Sequence, residues 1–189
     1  MHKLIEDVVL QFVPDFSREE LDVIKTKFYP KSLQKNEHLV HVGEIASEVV
    51  FIKKGLMRNY VPLAKGQVTN YFAEERTFNT SATSFFTQTP SYEAIQAIEP
   101  CEMFAIKHDD LQELYRTYHN WERFGRLFIE ALLVEQDLRI RWYVELSAKE
   151  RYAAFVKTYP HLIQRVQQYH IASFLGITPE SLSRLRSRS

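Results

Sequence analysis

Four side chains near the end of the chain, Glu180, Ser183, Arg184 and Ser187, stand at offsets of three, four and seven. On a helix that spacing makes a single stripe. A guanidinium such as that of Arg184 forks onto guanine O6 and N7, while a carboxylate such as that of Glu180 accepts from a cytosine amino group. Phosphate contact alone for Arg184 remains an alternative, as does a dipole or intrahelical role for Glu180. Arg165, Arg186 and Arg188 suit phosphates, which supply affinity without sequence information. Thr178 and Ser181, at a helix start, add donors for a phosphate. The chemistry this set can do is the reading of duplex DNA.

Two short helices must hold that stripe. In Gln168–Arg186, Ile171 and Leu175 share one face of the first, and Leu182 and Leu185 share a face of the second. Ala172 is small, so the helices can approach closely there. Gly176 can take positive φ at the helix end, and Ile177 plugs the corner. Thr178 is an N-cap, Pro179 occupies the first helical position, and Glu180 lies at the positive end of the dipole. Together these spell a helix-turn-helix.

The length of 189 residues fits one large domain or two small ones. No apolar run approaches bilayer length, and the N-terminus is too acidic and broken for a signal peptide. The single cysteine, Cys101, excludes an internal disulfide and a cysteine-ligated cluster, so the expectation is a cytoplasmic protein without cofactor or metal. Net charge is zero but uneven. Residues 1–146 carry 17 basic against 22 acidic side chains, whereas residues 147–189 carry 7 against 2. An acidic body with a basic end suits a nucleic-acid partner.

The elements read in order as follows. Helices are expected at 2–13 and 17–28, the latter opened by a capping box from Ser17 to Glu20. Strands are expected at 31–34, 37–42, 48–53, 56–62, 67–73, 92–97 and 102–107, with hairpin turns at Lys53–Gly55 and Ala64–Gly66. Seven short strands imply an antiparallel barrel or jelly roll. The segment 77–90 reads as a short helix or loop within it, and Tyr60, Tyr71, Phe72, Phe78, Phe85, Phe86 and Tyr92 as core, with some able to line an apolar pocket.

Asp109 should cap a short helix, followed by a long one from about 120 to 146. There Phe124, Leu127, Ala131, Val134 and Leu138 follow a coiled-coil rhythm, and Ile129, Leu133 and Ile140 form a second apolar face. One face can pack on the roll while the other meets a second subunit. A further helix spans 149–159. The fold class is therefore α+β: an N-terminal antiparallel β-roll with flanking helices and a long dimerisation helix (1–146), then an all-α helix-turn-helix (147–189).

Phe51–Arg58 and Ile171–Arg184, with the order helix, β-roll, long helix, helix-turn-helix, resemble the Crp/Fnr family of bacterial transcription regulators. The resemblance implies a homodimer joined by the long helix, a near-palindromic duplex DNA site, RNA polymerase as a further partner, and no enzymatic activity. It implies Glu180 and Arg184 as the base-reading pair; the helix start, the stripe and the basic end add Thr178, Pro179, Ser181, Ser183, Ser187 and Arg188 as the remaining DNA-binding residues. Only three residues follow Arg186, so the C-terminal β-wing of many relatives is not expected.

The family's cyclic AMP cassette, aligned by pattern, falls on Thr80, Ser81, Ser91 and Tyr92. The family's ribose-binding glutamate and phosphate-binding arginine are missing from it. A buried phosphate without a cation is costly, so any small-molecule effector is expected to be something other than cyclic AMP. Nothing in the sequence places Arg58 or Arg76 as a substitute.

Two other readings compete. A ligand-sensing β-roll can act through protein contacts instead of DNA. The roll also resembles a metal-binding cupin, with His38 and His41 as tempting ligands, but residues three apart on a strand face opposite ways and should not converge.

Overall fold

The computed structural model describes residues 2–187. Helix α1 (Lys3–Phe12) is followed by α2 (Arg18–Asp22) and α3 (Ile24–Lys27). The Ser17–Glu20 capping box is formed in both directions, yet the single helix expected over 17–28 divides at Val23. The Trp121 indole N–H donates to Glu20 O at 2.8 Å, the carbonyl that an unbroken helix would offer to Ile24.

Strands β1 (Tyr29–Leu33), β2 (His38–Val40), β3 (Glu48–Lys54), β4 (Met57–Pro62), β5 (Gln67–Ala73) and β6 (Phe78–Asn79) come next. Helix α4 (Ala82–Thr87) precedes β7 (Ala94–Ala97) and β8 (Cys101–Lys107). They form two four-stranded sheets, in the orders β1-β8-β3-β6 and β2-β7-β4-β5. The two-residue β6, which pairs Phe78 with Phe51, carries no alternation that a sequence reading could detect.

Gly55 must be glycine at the β3–β4 turn. Its φ is +103°, and a Cβ there would sit 2.5 Å from Pro100 O. Phe51, Ile52, Leu56, Phe85, Ile95 and Ile106 are fully buried. Phe86 and Tyr92, expected in the core, are 47% and 54% exposed.

Helices α5 (His108–Thr117), α6 (His119–Glu145), α7 (Ala148–Thr158), α8 (Leu162–Arg165), α9 (Gln168–Leu175) and α10 (Pro179–Arg186) complete the chain. Lys107, not Asp109, is the cap of α5; Asp109 and Asp110 lie in its first turn, beside the positive end of the dipole. Residues Met1–Asn59 with Phe72–Ala131 form one compact unit, and Tyr60–Tyr71 with Leu132–Ser189 form the other. Helix α6 runs through both.

The expected division of α6 into an inward and an outward face does not hold; it divides along its length. Trp121, Phe124 and Gly125 are buried, and Phe124 meets the rings of Phe12, Phe78 and Phe128. Further on, both apolar faces are uncovered: Ile129, Leu133, Val134, Leu138, Ile140 and Val144 are all exposed. The smaller core of the second unit contains Phe155, Leu162, Val166, Ile171, Phe174, Leu175 and Leu182.

Candidate nucleic-acid interface

Helix α9 ends as its sequence dictates. Gly176 sits at φ +66°, its N–H donates to Ser173 O at 3.1 Å, and the Ile177 N–H donates to Ala172 O at 3.0 Å. This is a Schellman end, with glycine in the left-handed position. Thr178 Oγ1 then accepts from the Ser181 N–H at 3.2 Å, and Pro179 opens α10. Ala172 and Leu182 are buried where the helices meet, and Leu185 is half-buried.

On the other side of α10, Glu180, Ser183, Arg184 and Ser187 are all exposed, as are Thr178, Pro179 and Arg186. Ser181 is half-buried. The Arg184 guanidinium donates to Ser181 Oγ at 3.4 Å, a long contact that leaves the fork facing solvent. The Glu180 carboxyl is held below its ordinary value by its own backbone N–H and by the Thr178 hydroxyl, with Arg184 adding to the effect. It is therefore an acceptor at neutral pH. Arg165 is half-buried at the end of α8. Arg188 lies outside the described residues.

Three side chains that sequence reasoning passed over hold this helix pair, two from other helices and one on α9 itself. Tyr143 on α6 donates its hydroxyl to Phe174 O. Arg151 on α7 donates from Nε to Leu175 O at 3.0 Å and from Nη1 to Leu146 O at 2.7 Å. Ser173 Oγ accepts from the Thr69 N–H and donates to Gln67 O on β5, both at 2.9 Å. No local spacing announces these partners, which are 24 or more residues apart except for Arg151 and Leu146.

In the roll, Ser81 and Ser91 are buried, with their hydroxyls 2.8 Å apart. Thr80 donates to Glu48 O at 2.9 Å, and Tyr92 is turned toward solvent. Asn79 donates to Asn59 at 3.0 Å, another neutral buried pair. The Arg58 side chain is buried, and two of its nitrogens donate to Gln96 Oε1 at 3.1 and 2.8 Å. Arg76 is exposed in a turn at φ +68°.

The expectation that His38 and His41 diverge is wrong. Their ring centroids are 4.4 Å apart. Strand β2 ends at Val40 and its register slips between His38 and Val40, so the alternation of an ideal strand does not reach His41. Among the described residues no group of three or more His, Cys, Asp or Glu side chains is arranged to hold a metal ion.

Residues 30–118 match the cyclic nucleotide-binding domain family. No curated protein matches the chain by sequence. Among solved structures, FixK2 from Bradyrhizobium japonicum superposes with a TM-score of 0.76 at 19% identity, covering 85% of this chain and 83% of that one. The c-di-GMP-responsive global regulator CLP of Xanthomonas campestris gives 0.73 at 12% identity, covering 91% of each chain. The Thermus thermophilus catabolite activator protein gives 0.60 at 17% identity, covering 96% of this chain and 85% of that one. Residues 30–118 thus match the cyclic nucleotide-binding domain, and the chain carries the fold of the Crp/Fnr-type transcription regulators.

Proposed function

We propose that this protein is a DNA-binding transcription regulator, not an enzyme, that reads a near-palindromic duplex as a homodimer. The observation that carries the reading is the α10 stripe. Glu180, Ser183, Arg184 and Ser187 are exposed together on a capped helix whose opposite side, Leu182, is buried. Arg184 and Glu180 read base edges, while Arg186, Arg188, Thr178 and Ser181 serve phosphates. RNA polymerase is the downstream partner this role calls for.

The partner across the dimer is a second copy of α6. Val134 and Leu138 of the coiled-coil rhythm are exposed on that helix, as are Ile129, Leu133, Ile140 and Val144 on its second face; the former make a seam of the kind that a coiled coil covers. Two recognition helices about 34 Å apart then meet successive major grooves. The effector, where one acts, is something other than cyclic AMP, because the cassette presents serine hydroxyls where an anion needs a cation.

Sequencing the genomic fragments retained by the purified protein tests this reading. A regulator retains a common inverted repeat, and its affinity falls steeply with salt. A protein-docking module retains nothing above random DNA, and that outcome would reject the reading.

A further inference from the structure

The last two carbonyls of α9 need partners that its own turn cannot supply. The Schellman end employs the carbonyls of Ala172 and Ser173, which leaves those of Phe174 and Leu175 to be satisfied from elsewhere. Both are met by side chains from other helices. The Tyr143 hydroxyl of α6 donates to Phe174 O, and Arg151 Nε of α7 donates to Leu175 O at 3.0 Å.

Arg151 does more than close one helix. Its Nη1 donates to Leu146 O at 2.7 Å, the carbonyl just beyond the end of α6, and its guanidinium carbon lies 5.7 Å from the Tyr143 ring centroid. One planar fork therefore joins the end of α6 to the end of α9, stacked on the tyrosine that makes the neighbouring bond. The same ring lies against the turn: a Cβ on Gly176 would be 3.3 Å from Tyr143 Cε1. Arg139, also on α6, stands 5.5 Å over the Phe174 ring.

We propose that Tyr143 and Arg151 are positioning residues for DNA reading. They key α9, and through the Gly176 turn α10, to the end of the helix that bears the dimer seam. The direction of Arg184 is thereby set relative to α6 and not left to the short link at Leu146 and Ser147. This rests on the regulator reading above. Two recognition helices on one dimer must meet grooves at a fixed separation, whereas one helix on one half-site needs no such alignment. The clamp matters for the first task and not for the second.

Tyr143→Phe removes only a hydroxyl, Arg151→Gln removes the charged fork, and Arg151→Lys keeps the charge but loses the planar fork whose separate nitrogens reach the two carbonyls. Each full-length variant is titrated by fluorescence anisotropy against the repeat selected by wild type, a version with one half scrambled, and versions with altered half-site spacing. Spin labels at Asp137→Cys and Ser183→Cys, diluted with unlabelled chain, report the α6–α10 distance without DNA.

Tyr143→Phe and Arg151→Gln should each weaken full-site binding about tenfold, with Arg151→Lys between them and wild type. Half-site binding should stay within about twofold, because Arg184 and its contacts are untouched. The spacing preference should flatten and the label distance distribution widen. Unchanged full-site affinity with an unchanged distribution would overturn the proposal, and so would equal losses on half and full sites. If wild type itself prefers no DNA, the regulator reading falls on that ground, and the label distances still decide whether the clamp exists.

Discussion

The hydroxyl of Ser81 lies 2.8 Å from that of Ser91, and both residues are buried. Ser91 Oγ in turn donates to Glu93 O at 2.7 Å. The two hydroxyl protons are thus spent in a short internal relay, from Ser81 to Ser91 to the Glu93 carbonyl. A neutral relay of this kind offers nothing to balance a buried phosphate charge, and Arg58 is engaged with Gln96.

Cyclic AMP should therefore leave the protein unaffected. Titration calorimetry at millimolar ligand should give no binding heat, and the thermal midpoint should not move. A saturable heat with a rise in midpoint would show that a cation reaches the cassette after all.

Arg184→Ala should cost roughly 1–3 kcal/mol on the selected repeat and relax preference at one base pair. Arg186→Ala should weaken all sequences alike and make the dependence of affinity on salt shallower. Competition titrations against the repeat and random DNA at several salt concentrations separate the two. Equal losses on both DNAs for Arg184→Ala would strip it of a base-reading role.

A charge in the exposed α6 seam should separate the subunits. Leu138→Glu places a carboxylate where the side chain is 50% exposed in a single chain, so the monomer tolerates it and a desolvated coiled-coil core does not. Sedimentation should then report a monomer with unchanged far-ultraviolet dichroism, together with loss of full-site binding. A variant that remains dimeric would place the subunit contact elsewhere.

Acid should weaken the start of α7. Glu150 Oε2 accepts from the Ser147 hydroxyl and backbone N–H at 2.6 and 2.8 Å, and these bonds hold its carboxyl below the ordinary value of 4.5. A depressed carboxylate contributes stability that is complete above its unfolded pKa and lost as pH falls through the folded one. The thermal midpoint of wild type should exceed that of Glu150→Gln near neutrality, and the gap should close below about pH 4.5. A gap that persists at pH 3 would show that the carboxylate's charge is not its source.

The roll was legible because its strands are short, alternate, and are broken by glycine turns such as Gly55 and Gly66. Elements too short to repeat their own pattern escaped, namely β6 and α8. Exposure at Phe86 and Tyr92 also escaped, since side-chain type does not reveal which side of a short helix or loop meets solvent.

The helix-turn-helix was determined by sequence alone, because each of its determinants acts on near neighbours. Gly176 supplies the left-handed corner, Thr178 caps the amide three residues on, and Leu182 and Leu185 share a face with Arg184 on the other side. Tertiary structure alone decided what that motif is attached to. Tyr143 reaches Phe174 across 31 residues, Arg151 reaches Leu175 across 24, and Ser81 meets Ser91 only after the chain has turned through α4. Capping bonds repeat at helical intervals and leave a pattern, whereas a carbonyl met from a distant helix leaves none, because its partner is chosen by where the chain returns in space.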